Sequence, residues 1–342
     1  MLVVRHIDPR RQQERDFRVS LPGTASRREF LLATASALGA FAMAPDEAAA
    51  PPAGIVLIVA DRETAASEEF ASLAARAARF TRCYAADPAS VRGREAILRG
   101  RFPHLGGLTG NPGGIALHEH LATAGWRTVS GSGTPALASA LKAGGRYCAV
   151  LEPPADTGMA CLRSAASLLE RAGVLDDTLL VITAARGGDT EAWFDRDTRV
   201  PLLFQWPRRI AAGEPDLLAS AVDVMPAILG LCGVPAPDGL QGLDLSPWLL
   251  RGNGIRPESI YAEGRLGTRQ SWRMMVRGLD KLVFTPRLEI VHLYNLGQDP
   301  GETTDLAGDP AEERKLDELR AIAANWMRRL ADEMDPSGLK RR

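Results

Sequence analysis

Lysine is the scarcest basic residue in this 342-residue chain: of 41 Lys and Arg residues only Lys142, Lys281, Lys315 and Lys340 are lysines, and there are only five histidines. A site built on several amines or imidazoles therefore has few candidates, and cationic chemistry falls to arginine, a permanently charged planar fork suited to anions. Cysteine is sparse too. Cys83, Cys148, Cys161 and Cys232 are far apart and form no CxxC pair, which removes zinc-finger and dithiol redox readings and leaves both disulfides, with three possible pairings, and free thiols open. Positive charge is not in excess: 42 acids against 41 bases give a net charge of −1, which excludes a basic nucleic-acid binder. Long apolar runs are also missing. The stretch 31–44 is uncharged but falls short of the roughly 20 residues a spanning helix needs.

What is present begins with an address-like segment. Ser26-Arg27-Arg28-Glu29-Phe30-Leu31 leads into the apolar stretch, and small residues follow at Ala48-Ala49-Ala50. Basic, apolar and small-residue regions in that order read as an export leader over residues 1–50; the alternative is an amphipathic N-terminal helix. The paired arginines resemble a bacterial twin-arginine signal. That resemblance implies an exported protein, periplasmic or extracellular, with a body from residue 51 that has no membrane span.

The body alternates strand and helix. Gly54–Ala60 is a continuous run rich in β-branched residues, as expected for a strand buried on both faces. The pattern predicts helices over 68–80, 94–99, 116–124, 159–172 and 217–232, and strands over 147–151, 178–183 and 200–204. This alternation gives an α/β/α sandwich on a mostly parallel sheet over 51–254. From about Ile255 short strand-like runs follow one another (259–263, 272–277, 281–284, 291–296), then one amphipathic helix over 311–331. Residues 255–342 thus read as a small α+β subdomain with an antiparallel sheet.

A series of motifs, in order, resembles the sulfatases of the alkaline phosphatase superfamily. Ile55-Val-Leu-Ile-Val-Ala-Asp61 is similar to their first strand, and Ser90 to Arg101 with Phe102-Pro-His104 to the segment around the nucleophile. Gly125-Trp-Arg-Thr128, Thr198-Arg-Val-Pro-Leu202, Val222-Asp-Val-Met-Pro226, Asp238-Gly-Leu-Gln-Gly242 and Leu293-Tyr-Asn-Leu296 continue the match over nearly all of 54–330. The resemblance implies an alkaline-phosphatase-like fold and a sulfuric ester hydrolase. It implies a nucleophile at Ser90, converted in active members to formylglycine, with Arg94 one helical turn on. It also implies a divalent cation, usually calcium, held by acids after the first strand and after a later one.

The chain departs from that pattern at several points. Arg92 stands where the family has Pro or Ala. Asp61 is the sole retained metal-ligand position; Arg62 replaces the second acid, and Ala185 and Arg186 fall where the later ligands belong. Glu63 and Asp189 are the nearby acids that could compensate. Calcium takes 6–8 oxygen ligands, so no functional calcium site is expected. The lysines that would grip sulfate are absent: Lys142 falls in a linker-like stretch and Lys281 matches a structural Lys-Leu pair. His104 matches a structural Pro-His pair, His118 and His120 read as surface residues, and Glu152-Pro-Pro-Ala-Asp156 is all that stands for the mid-chain histidine segment. The residue-level alternative for Ser90 is a helix cap. Arg62, Arg94 and Arg186 would all emerge at the carboxyl edge of the sheet, where α/β proteins bind ligands, and so form a candidate anion site beside Asp61. The readings in competition are a hydrolase of sulfate esters, a non-catalytic binder of sulfated or other anionic ligands, and a structural or partner-binding exported domain.

Overall fold

The computed structural model describes the backbone of strands 2–8 and 13–19, and residues 50–60, 68–109, 111–154, 157–188 and 190–332. The segment carrying the leader motif lies outside them. Residues 1–50 and 51–342 form two compact units. In the first, β1 (Leu2–Asp8) and β2 (Gln13–Val19) pair antiparallel.

The second unit is built on a six-stranded sheet. Its centre is β3 (Gly54–Ala60), all seven residues of which are buried, as the unbroken apolar run requires. After α1 (Glu68–Ala74) come β4 (Ala78–Arg79) and β5 (Arg82–Tyr84), then α2 (Ser90–Arg99) and α3 (Leu117–Thr123). Next are β6 (Arg127–Gly131), α4 (Thr134–Ala143), β7 (Tyr147–Leu151), α5 (Gly158–Arg171) and β8 (Thr178–Ala184). A short helix α6 (Asp195–Thr198) precedes β9 (Arg199–Val200), β10 (Leu202–Gln205) and β11 (Leu218–Ser220), with α7 (Val224–Cys232) and α8 (Ser246–Arg251) following. The sheet order is β4-β10-β8-β3-β7-β6, with β8, β3, β7 and β6 parallel and β10 antiparallel to both neighbours. Alternate residues of β3 feed two cores: Ile55, Leu57 and Val59 face α7, while Val56 and Ile58 meet Leu137 of α4 and Leu162 and Leu169 of α5. This is the layered α/β architecture expected. All four cysteines are free and buried in it.

The C-terminal sheet is antiparallel, β12 (Ser259–Gly264), β13 (Trp272–Arg277), β14 (Asp280–Phe284) and β15 (Ile290–Asn295), and the long α9 (Glu313–Leu330) follows β15. Leu319, Ala323 and Leu330 of α9 pack on Tyr261, Met275, Leu282 and Phe284. No helix among the described residues is long and apolar enough to cross a membrane.

Three expectations are corrected. Residues 217–220, read as helix, include β11, because the run pairs in parallel with β5 (Leu218 opposite Arg82) and the helix begins only at Val224; tertiary pairing overrides local helical spacing. The helix from Glu68 ends at Ala74, and Ala78–Arg79 turns into a strand on β10. Lys142 is not in a linker but in the last turn of α4. His118 and His120 keep partial exposure, in line with a surface position, and His120 Nε2 lies 2.8 Å from the Pro235 carbonyl.

Candidate functional site

Parallel pairing brings the carboxyl ends of four strands to one edge: Ala60 lies opposite Ala184, Ile58 opposite Leu151, and Gly131 opposite Leu151. Helix α2 begins over this edge. Its Gly93 makes that approach possible, since a Cβ there would stand 2.3 Å from the Ala185 carbonyl oxygen and 2.6 Å from that of Asp87. Gly93, three residues after Ser90, thus packs against the first residue past β8. Asp61, Arg62, Glu63 and Asp189 lie outside the described residues.

Ser90 is exposed and is the first residue of α2, not its cap. The N-cap position is Ala89, which has no side chain for the role. Asp87 organises the turn in its place: Ala89 N–H donates to Oδ1 at 2.7 Å and Arg92 Nε–H donates to Oδ2 at 2.6 Å. Among the described residues no hydrogen bond uses the Ser90 hydroxyl. Burial pushes the Asp87 carboxyl up to about 7, against the opposing pull of Arg92 and the Ala89 amide. Arg92, the departure from the family signature, is therefore a fixed part of this turn, and its Nη2 also reaches 3.6 Å from Glu191 in the loop after β8.

Arg94 lies one turn beyond Ser90, with its side chain 40% exposed. Its Nη1 donates to Glu95 at 3.1 Å, and its Nε forms an ion pair with Glu152, the residue after β7. Glu95 is held in turn by Arg99 Nε at 2.7 Å. Arg186 is half-buried after β8. Asp87, Gly93 and Glu191 carry no motif of their own in the sequence, and Glu152 stands out there only as the start of the short Glu152–Asp156 segment. Asp87-Pro88 ahead of a helix was a legible turn signal, but the pairing of Arg94 with Glu152 joins segments whose proximity only the sheet register creates.

Of the positions where the family holds calcium, only those after β8 are described, and they carry no carboxylate. Ala185 offers no side-chain ligand and Arg186 is itself a cation, whereas calcium requires several carboxylates. Among the described residues one His/carboxylate group, His104, Glu263 and Asp332, has metal-like spacing, and all three are buried. Arg273 already fills it: Nε and Nη2 lie 2.5 and 2.8 Å from the two Asp332 oxygens, and Nε lies 3.7 Å from Glu263. His104 Nδ1 is 2.8 Å from Glu263 and Nε2 is 3.1 Å from the Leu330 carbonyl, an acceptor only. Both ring nitrogens thus face oxygen acceptors already in contact with them, and Arg273 takes up the remaining space between the carboxyl groups. Burial opposes the imidazolium, but Glu263 and Asp332 outweigh it and hold His104 above its ordinary value. His104 thus has the structural role its motif implied. A second buried group joins the C-terminal sheet to the α/β body: Lys281 Nζ lies 2.9 Å from Asp195 and 2.7 Å from Glu302.

Comparison with known proteins bears on the fold and on sequence likeness. Residues 189–328 match the family model of the C-terminal region of N-sulphoglucosamine sulphohydrolase. Human arylsulfatase A is 35% identical over 107 residues, covering 26% of this chain and 21% of that protein. The Δ4,5-hexuronate-2-O-sulfatase of Bacteroides thetaiotaomicron is 26% identical over 177 residues, covering 46% of this chain and 36% of the relative. The chain is thus similar to sulfatases in its C-terminal part and over the stretches these relatives share. A solved 2-O GAG sulfatase superposes with a TM-score of 0.70 at 15% identity, over 83% of this chain and 93% of that one, which shows that this chain carries the alkaline-phosphatase-like fold. The matched stretches span only about a fifth to a third of those two curated relatives.

Proposed function

We propose that this sulfatase-like chain holds an anionic, sulfated saccharide at the carboxyl edge of its sheet and does not perform the metal-dependent hydrolysis of the sulfatases it resembles. The carrying observation is the end of β8: Ala185 and Arg186 stand where metal-binding groups belong, and Gly93 of the nucleophile helix packs directly against Ala185. A guanidinium at such a position can pair with a sulfate or with Asp61 without any metal. Arg62, Arg94 and Arg186 are the candidate anion-binding groups. The names of the relatives, a hexuronate-2-O-sulfatase and a 2-O GAG sulfatase, suggest a sulfated uronic acid as the ligand class. The Arg27-Arg28 motif supports export by the twin-arginine route, which places the ligand outside the cytoplasm.

The test pairs calorimetric titration of a 2-O-sulfated unsaturated disaccharide with a sulfate-release assay in calcium and in EDTA. Saturable binding without sulfate release is expected in both. Calcium-dependent turnover overturns the proposal.

A second reading has its own support. Ser90 is exposed at the first turn of α2, and its hydroxyl serves no cap. Mass spectrometry of the tryptic peptide Cys83–Arg92 decides it: a loss of two hydrogens at Ser90 identifies formylglycine and restores the hydrolase reading.

A further inference from the structure

We infer that Glu152 is an internal competitor for the anion site, a carboxylate that occupies Arg94 until an external anion takes its place. This deepens the binding reading above and rests on it. Glu152 is the first residue past β7, and its carboxylate pairs with Arg94 Nε across the carboxyl edge of the sheet. The two partners come from different elements, so their pairing belongs to the cleft and not to the local stability of α2.

The backbone of Glu152 is fixed while its side chain can move. Its N–H donates to the Gly131 carbonyl at 2.9 Å, tying it to the end of β6, and Pro153-Pro154 restrict the chain that follows. Its side chain is 27% exposed and that of Arg94 is 40% exposed, so solvent reaches both partners, and the contact at the shielded Nε is an ion pair without a hydrogen bond. The other carboxylate on Arg94 differs in this respect. Glu95 is held by Arg99 as well, and Arg99 donates also to the Gly114 carbonyl. An arriving anion would therefore displace Glu152 and leave Glu95 in place. Half-exposed ion pairs are weak, which makes the exchange nearly balanced and lets a sulfate, bidentate on the guanidinium fork, win it. Arg94 also lies on the face of α2 that carries Ser90 one turn earlier, so the seat vacated by Glu152 adjoins the nucleophile position.

The experiment is calorimetric titration of the full chain with inorganic sulfate, comparing wild type, Glu152→Gln, Arg94→Gln and a distant control, Glu170→Gln. Glu170 is exposed on α5 and removes the same charge elsewhere. Glu152→Gln is expected to bind sulfate about two- to fivefold more tightly, Arg94→Gln to lose most of the affinity, and Glu170→Gln to match wild type. Equal affinity in wild type and Glu152→Gln overturns the competitor while leaving the anion-binding reading intact. An equal gain in Glu170→Gln also overturns it, because net charge alone then accounts for the effect. No sulfate binding in any of the four proteins removes the anion-binding reading itself. Melting temperatures of the variants verify that each is folded.

Discussion

Arg273 grips Asp332 with two nitrogens in a site where both side chains are wholly shielded from water, and Tyr261 donates its hydroxyl to the same carboxylate. Asp332 follows the left-handed Ala331 that ends α9, so the pair fastens the last helix to the C-terminal sheet. Removing one member leaves the other charged and buried. Asp332→Ala should cost about 3–5 kcal/mol, seen as a lower urea midpoint with an unchanged slope. The double variant Arg273→Met/Asp332→Leu should cost clearly less than Asp332→Ala, since apolar replacements leave no orphaned charge.

Stability should decline as the pH rises from mildly acidic to alkaline. His104 is held above its ordinary 6.5 by Glu263 and Asp332 against the cost of burial. Its contribution is therefore complete below 6.5 and lost as the pH climbs through the raised value. Burial lifts Asp87 to about 7 from an ordinary 3.8, so its native form also binds the extra proton, and its term falls in the same direction between those values. Urea midpoints from pH 5 to 9 should drop, and Asp87→Asn should flatten the part of the drop up to about pH 7. A midpoint that rises across this range contradicts both assignments.

Gly93 is required by packing and not by backbone dihedral. Gly93→Ala would press a methyl group against the backbone oxygens of Ala185 and Asp87. Neither is the tip of a flexible side chain, so α2 must lift from β8 at a cost of about 1–3 kcal/mol. Thermal melting should record this loss, and sulfate affinity should fall with it because Arg94 moves with the helix.

Calcium should leave the melting temperature unchanged. A ligand that binds only the native state stabilises it in proportion to its saturation, so millimolar calcium compared with EDTA reads occupancy directly. An upward shift, or a stoichiometric divalent ion in the purified protein, would show that Asp61 and its neighbours assemble a metal site after all.

The fold was legible where one physical signal dominated. The unbroken apolar run at Gly54–Ala60 could only be a strand buried on both faces, and the succession of short runs after Ile255 marked an antiparallel sheet. It was not legible where pairing outweighed propensity, as at Leu218–Ser220, or where glycine and serine masked a strand and helix, as from Arg127 to Ala143. The site divides in the same way. Motif order assigns Ser90, Arg94, Ala185 and Arg186 to one edge, and the approach of Gly93 to Ala185 is the contact that bears on it. That Arg92 belongs to Asp87 and that Arg94 belongs to Glu152 was not legible, because those bonds depend on rotamers and strand register.

Lys281 has a use that follows from its position. It is sealed between Asp195 and Glu302 at the joint of the C-terminal sheet and the α/β body, and the chain has only three other lysines. Amine-reactive reagents therefore have few competing targets, and Lys281 becomes accessible only when that joint opens. Its acylation rate, followed by mass spectrometry in water without denaturant, is a built-in clock for the partial opening of this one seam.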